Sequence, residues 1–187
     1  MTTPPENRHP GLDADLVSRF RAGDREAFNE IVHRYHRPVF NAAFRILGEA
    51  EDARDVCQST FLRAFEHLPS YRDDLPFFSW LYRIAVNEAL RCLQRNRARR
   101  SLTAPGNGFS EPGAEDGPQR EVLRGEWAEA IDRALRRLTT DHRVVIILRH
   151  FMDCSYQEMA VILDLPEKTV KSRLFEARQN LRRVIRV

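Results

Sequence analysis

The chain has 187 residues, of which 42% are hydrophobic and 30% charged, with a formal net charge of +3. That length suits one ordinary domain or two small ones, and the balance is that of a folded globular protein rather than a disordered one. No run of about 18 apolar residues exists, which excludes direct membrane insertion by a helix. In chain order, Met1 to Pro10 are polar and lack the apolar stretch of a secretory leader.

Helical periodicity begins after them. Leu16, Phe20, Phe28, Ile31, Val32, Tyr35, Val39, Phe40, Ala43, Phe44 and Leu47 recur at steps of three, four and seven, broken at Gly23-Asp24 and ended by Gly48. Val56, Thr60, Leu62 and Phe65 mark the next helix, which closes before Pro69, and a third runs from Phe77 to about Arg97 behind Pro76. Ser101 to Pro118 then carries Pro105, Pro112 and Pro118 with four glycines, no basic residue and no apolar period. Such a segment buries too little surface to offset chain entropy and reads as a linker. A helix from Ala130 to Phe151 follows, with Ile131, Leu135, Leu138, Val144, Val145, Ile147 and Leu148 for its core.

Ser155-Tyr156-Gln157-Glu158 has the form of a capping box. The helix it opens ends at Asp164-Leu165, where Asp tolerates left-handed geometry. Pro166 starts the last helix, whose Val170, Leu174, Ala177 and Leu181 face inward. No stretch alternates with period two for long enough to propose a sheet. The expectation is an all-α chain of two small helical domains, residues 11–98 and 123–187, joined by a flexible linker, 99–122, that leaves their relative placement open. Cys57, Cys92 and Cys154 are far apart and odd in number, against a disulfide framework and in favour of a reducing cytoplasm.

Charge is unevenly placed. Arg91, Arg95, Arg97, Arg99 and Arg100 form one basic segment, and Lys168, Lys171, Arg173, Arg178, Arg182, Arg183 and Arg186 dominate another. Two separated basic segments suit a polyanion touched at two places, although solvated helix faces would look the same. The last helix leaves Lys168, Lys171, Ser172, Phe175 and Arg178 outward, after a short helix and a tight turn. That is the form of a helix-turn-helix, because one helix fits the major groove and its cations meet phosphates and guanine acceptors. On the third helix Trp80, Arg83, Asn87 and Arg91 share a face at i, i+3, i+7 and i+11. Rings that stack on bases and arginines that track a backbone are the means of holding single-stranded DNA, although Trp80 would serve equally as a core residue, the reading preferred for Phe77 and Phe78. On the second helix Asp52, Asp55 and Ser59 share a face with Gln58 beside it, which suits a basic protein partner or simply the helix dipole.

Asp52 to Phe65 (DARDVCQSTFLRAF), Tyr71 to Asn87 (ending FFSWLYRIAVN) and Ser155 to Leu181 (SYQEMAVILDLPEKTVKSRLFEARQNL) resemble the signature regions of extracytoplasmic-function (ECF) sigma factors of the sigma-70 family. The resemblance implies a factor that binds core RNA polymerase (β′ clamp and β subunits), directs it to promoter DNA and opens the strands, with no catalytic role and no cofactor. It implies polymerase contacts at Asp52, Asp55, Gln58 and Phe61, and minus-10 contacts at Tyr71, Trp80, Arg83 and Asn87. It implies minus-35 contacts at Lys168, Thr169, Lys171, Ser172, Arg173, Phe175 and Arg178, and control by an anti-sigma factor in the cytoplasm.

The departures from the family pattern carry their own expectations. The family usually reads DAEDLVQE at the polymerase helix; here Arg54 replaces an acid and Ser59 stands where Glu is usual. The lost charge would weaken polymerase binding, with phosphorylation at Ser59 or Thr60 returning about two negative charges, unless Asp52 and Asp55 suffice, which is the plainer reading. Glu176 lies where Arg is frequent, and Asp164 replaces the commoner glycine. A plain helix-turn-helix repressor would leave Trp80 and the acidic helix without a task. A magnesium enzyme built on Glu51, Asp52 and Asp55 is opposed by Arg54 in their midst, and His33 with His36 lacks a third ligand nearby.

Overall fold

The computed structural model describes residues 10–103 and 130–185; the expected linker lies mostly outside the described residues. The described chain is helical: α1 (Pro10–Arg21), α2 (Glu26–Leu47), α3 (Ala50–His67), a 3-10 turn (Leu68–Ser70), α4 (Phe77–Thr103), helical residues 130–136 (α5), α6 (Thr140–His150), α7 (Tyr156–Leu163) and α8 (Glu167–Ile185). No strand occurs among the described residues, and no described helix is long and apolar enough to cross a membrane.

Local chemistry sets the breaks. Gly23 takes φ 99° between α1 and α2, and the Asp24 carboxylate accepts from Glu26 N–H while pairing with Arg19 at 2.7 Å. Gly48 ends α2 in the left-handed region, its N–H donating to Phe44 O. The single helix expected from Ala130 to Phe151 is interrupted at residues 137–139. Thr139 caps α6 by accepting from His142 N–H, and Arg143 donates to the carbonyls of Leu135, Arg136 and Leu138 at the break, where Leu135 O also accepts from Leu138 N–H. α4 also runs to Thr103, past the expected end of the first domain at 98.

In α3 the buried set is Ala53, Val56, Cys57, Thr60, Phe61 and Ala64, which leaves Leu62 59% and Phe65 41% exposed. Both mark this helix in the sequence; Leu62 lies at the surface, while the Phe65 ring packs at the edge of the core against Phe20 and Phe28, at 5.3 and 5.1 Å. Among the largest fully buried side chains are Tyr35, Tyr82, Leu81 and Ile147; a buried aliphatic chain of this kind contributes about 1.5–3 kcal/mol.

The two domains pack on each other. α7 lies against α4, α6 lies against α2, and one hydrophobic cluster runs through both domains. Polar contacts line the junction: Arg143 Nη1 donates to Ile46 O at 2.7 Å, Arg45 pairs with Asp132 at 3.8 Å and covers the Phe151 ring, and Arg97 donates to the Thr140 hydroxyl at 3.1 Å.

Candidate polymerase and nucleic-acid interfaces

On α3, Asp55 and Gln58 are exposed. Asp52 is half-buried, and its carboxylate accepts from the Asn96 amide of α4 at 2.7 Å. Phe61 is buried, its ring stacked on His36 of α2 at 6.3 Å. It forms the floor of an apolar groove between α2 and α3, with Phe28, Val32, Leu62 and Phe65 along its walls and Arg54 and Gln58 at its rim. Leu62 and Phe65 were not among the sequence candidates; the signal for them is the run Arg54, Gln58, Leu62, Phe65 along one side of the helix. Thr60 is fully buried and donates to Val56 O at 2.7 Å, so of the two hydroxyls considered for phosphorylation only half-buried Ser59 reaches the surface.

The start of α4 is an aromatic cluster. Trp80 is half-buried, with the Tyr71 ring at 5.0 Å and the Phe77 ring at 5.6 Å; Phe77 in turn meets Tyr35 of α2 at 5.7 Å. Tyr71, expected to meet a base, is 8% exposed and acts as a wall of this cluster rather than an open platform. Its hydroxyl donates to Leu75 O, and burial pushes its phenol up to about 12, so it stays protonated. Phe77 and Phe78 are core residues. Asn87 and Arg91 are exposed on the same helix. Arg91 pairs at 2.7 Å with Glu88, a buried carboxylate that Arg63 of α3 reaches at 2.8 Å. Arg83 pairs at 3.1 Å with Asp164, in the turn of the helix-turn-helix.

That turn has the form read from the sequence. Ser155 accepts from Glu158 N–H while the Glu158 carboxylate accepts from Ser155 N–H, a complete capping box. Asp164 sits at φ 55°, ψ 46°, and Pro166 O accepts from Val170 N–H. Val170, Leu174 and Ala177 of α8 are buried, while Lys168, Thr169, Lys171, Ser172 and Phe175 are exposed. Arg173 is held by Asp141 at 3.3 Å, and Arg178 donates to His150 Nε2 at 3.3 Å; both are half-buried. Lys171 pairs with Glu167 at 2.6 Å. Glu176 turns toward His142 of α6, at 3.6 Å.

Cys57, Cys92 and Cys154 are free and buried, and burial pushes the Cys57 thiol up to about 11. No group of three or more His, Cys, Asp or Glu side chains among the described residues could hold a metal ion.

Comparison with known proteins follows the same division. Residues 31–99 match the family description Sigma-70 region 2, and residues 128–181 match Sigma-70, region 4. The chain is 36% identical over 175 residues to the ECF RNA polymerase sigma-E factor of Escherichia coli K12, covering 89% of this chain and 91% of that protein. It is 34% identical to the RNA polymerase sigma-H factor of Pseudomonas aeruginosa, with 89% and 90% covered. Among solved structures, CnrH in complex with the cytosolic domain of CnrY superimposes with a TM-score of 0.72 at 27% identity, covering 93% of this chain and 97% of that one. RpoE of Bartonella quintana, solved with the anti-sigma factor NepR, shares the fold at a TM-score of 0.67 and 24% identity, with 86% and 97% covered.

Proposed function

The chain belongs to the extracytoplasmic-function sigma factors of the sigma-70 family, and from that premise we propose a division of labour among its surfaces. It brings core RNA polymerase to promoter DNA and promotes strand opening, acting in the cytoplasm by binding alone and contributing no catalytic group. α3 meets the polymerase through Asp52, Asp55 and Gln58, and the groove floored by Phe61 takes an apolar side chain of the same partner. Trp80, Arg83 and Asn87 receive the minus-10 strand, with Tyr71 holding the Trp80 ring in place. Lys168, Thr169, Lys171, Ser172, Arg173, Phe175 and Arg178 meet the minus-35 duplex. An anti-sigma factor is the regulatory partner; the related CnrH is seen bound to the cytosolic domain of another protein.

The observation that carries this reading is the pairing, on one chain, of an aromatic cluster flanked by cations with a capped helix-turn-helix whose exposed face is basic. Stacking on Trp80 offsets the base stacking lost on melting, and the arginines hold the displaced backbone. α8 has the dimensions and donors to read a major groove.

Geometry adds a requirement. The names of the two elements place them about 25 base pairs apart, roughly 85 Å of duplex at about 3.4 Å per pair. A compact chain of this size has a radius of gyration of only about 16 Å. The domains therefore separate to engage both elements. The chain between Thr103 and Ala130 reaches at most roughly 90 Å, which is enough. Separation breaks the Arg83–Asp164 pair and frees Arg83 for DNA.

Run-off transcription with purified core polymerase on genomic fragments tests the function, and output that does not depend on this chain would overturn it. Ser59→Glu tests the phosphorylation reading: polymerase affinity should rise, and no gain leaves Asp52 and Asp55 as sufficient.

A further inference from the structure

We infer that Arg21, at the end of α1, is a positioning residue for the minus-10 loop, and that base readout by this chain depends on a helix preceding its family-matched segment. The inference rests on the proposed role of the Tyr71–Trp80 surface. The family match begins at residue 31, so α1 lies before it.

The loop between the 3-10 turn and α4 spans residues 71–76. Arg21 grips it twice. One terminal nitrogen donates to Tyr71 O, and the other donates to the Asp73 carboxylate at 3.1 Å. The same guanidinium lies 5.8 Å from the centre of the Tyr71 ring. Within the loop, Tyr71 donates to Leu75 O and Arg72 pairs with Asp74 at 3.3 Å. Arg21 therefore fixes the backbone at the residue whose ring walls the Trp80 cluster.

Charge gives the second reason. Arg72, Asp73 and Asp74 leave the loop one negative charge in excess, at a place that must approach a polyanion. Like charges at close range oppose that approach. Arg21 brings the local sum to zero. A lysine would restore the charge, but its single nitrogen does not form the guanidinium's two-pronged grip.

α1 supports the cluster from its other end as well. Tyr35 donates to the buried Asp13 carboxylate at 2.6 Å, Arg34 pairs with the same carboxylate at 3.0 Å, and the Tyr35 ring meets Phe77. The rings around Trp80 are thus tied to α1 at Asp13 and at Arg21, near its two ends.

The test uses the full chain with core polymerase and a pool of short single-stranded oligonucleotides randomised at each position. Wild type, Arg21→Ala, Arg21→Lys and Asp73→Asn are compared for base preference and affinity, with thermal melts and polymerase affinity as controls on folding. Arg21→Ala should flatten preference at the position read by the loop and weaken single-strand binding about tenfold, the size of one lost stacking contact. Its polymerase affinity and duplex minus-35 binding should stay unchanged. Arg21→Lys should recover affinity more than preference, and Asp73→Asn should keep most of the preference because the backbone grip survives. A wild-type preference that persists in Arg21→Ala overturns this inference alone. A wild type without any preference among single strands overturns the minus-10 reading and this inference with it.

Discussion

On α8 the candidate contacts Lys168, Lys171 and Ser172 stand exposed along one helix, whereas on α4 the ring of Trp80 is held by Tyr71 from a loop and by Phe77, which leans on Tyr35 of α2. The first surface needs only a correctly oriented helix. The second exists only when distant parts of the chain have met. This suits the tasks proposed for them. A duplex groove is a rigid target that a rigid helix can match, while an extruded base needs a shaped receptacle.

Trp80→Ala is the sharpest way to break that contrast. Single-strand binding measured by fluorescence anisotropy should fall roughly 10- to 100-fold, given about 1–3 kcal/mol per stacked base. Duplex minus-35 binding should not move, and equal losses on both targets would show the surfaces to be coupled. Next in size, Ser155→Ala should lower stability by about 1 kcal/mol through loss of the capping box. A melt should register it as a drop of a few degrees, with the α4 cluster's tyrosine and tryptophan fluorescence unchanged at low temperature.

Lys168→Ala tests the duplex face more gently. The slope of log affinity against log salt should flatten by about one if the ammonium meets a phosphate, with little change in sequence preference. The smallest effect concerns His150. Burial, then the charges of Arg178 and Arg149, hold its imidazole below its ordinary pKa of about 6.5. A group depressed in the folded state contributes stability that is complete above the unfolded pKa and is lost as pH falls through the folded one. Stability should therefore decline below about pH 6.5, and the accepting nitrogen that holds Arg178 should become protonated. His150→Gln should remove that part of the decline in melts recorded between pH 7.5 and pH 5.

The same contrast governs what the sequence made legible. The capping box at Ser155, the left-handed Asp164 and the inward set of α8 each depend on neighbours a few residues away, so their chemistry is written in order along the chain. Tyr71 could not be placed that way. Its burial depends on Trp80, Phe77 and Arg21, and an aromatic in a loop gives no local sign of whether it faces outward. Thr60 likewise looked available beside Ser59 until the packing of α3 turned it inward. Leu62 and Phe65 were read as marks of a helix, but which side they occupy follows from where α2 and α4 lie. The break at residues 137–139 gives no sign in the apolar spacing, which continues across it; the Thr139 cap and the Arg143 side chain, reaching back to three carbonyls, show why it is tolerated.

α4 carries the Trp80 ring cluster at one end and, near the other, Arg97 bonded to Thr140 of the second domain. An unbroken helix of 27 residues is a rod of roughly 40 Å. Its buried side, Leu81, Tyr82, Ala85, Val86, Ala89 and Cys92, is packed along much of that length against α2, α3 and α7. When the domains part as proposed above, the Thr140 bond and the α7 contact are given up together, which leaves α1, α2 and α3 to hold the rod and the rings at its start.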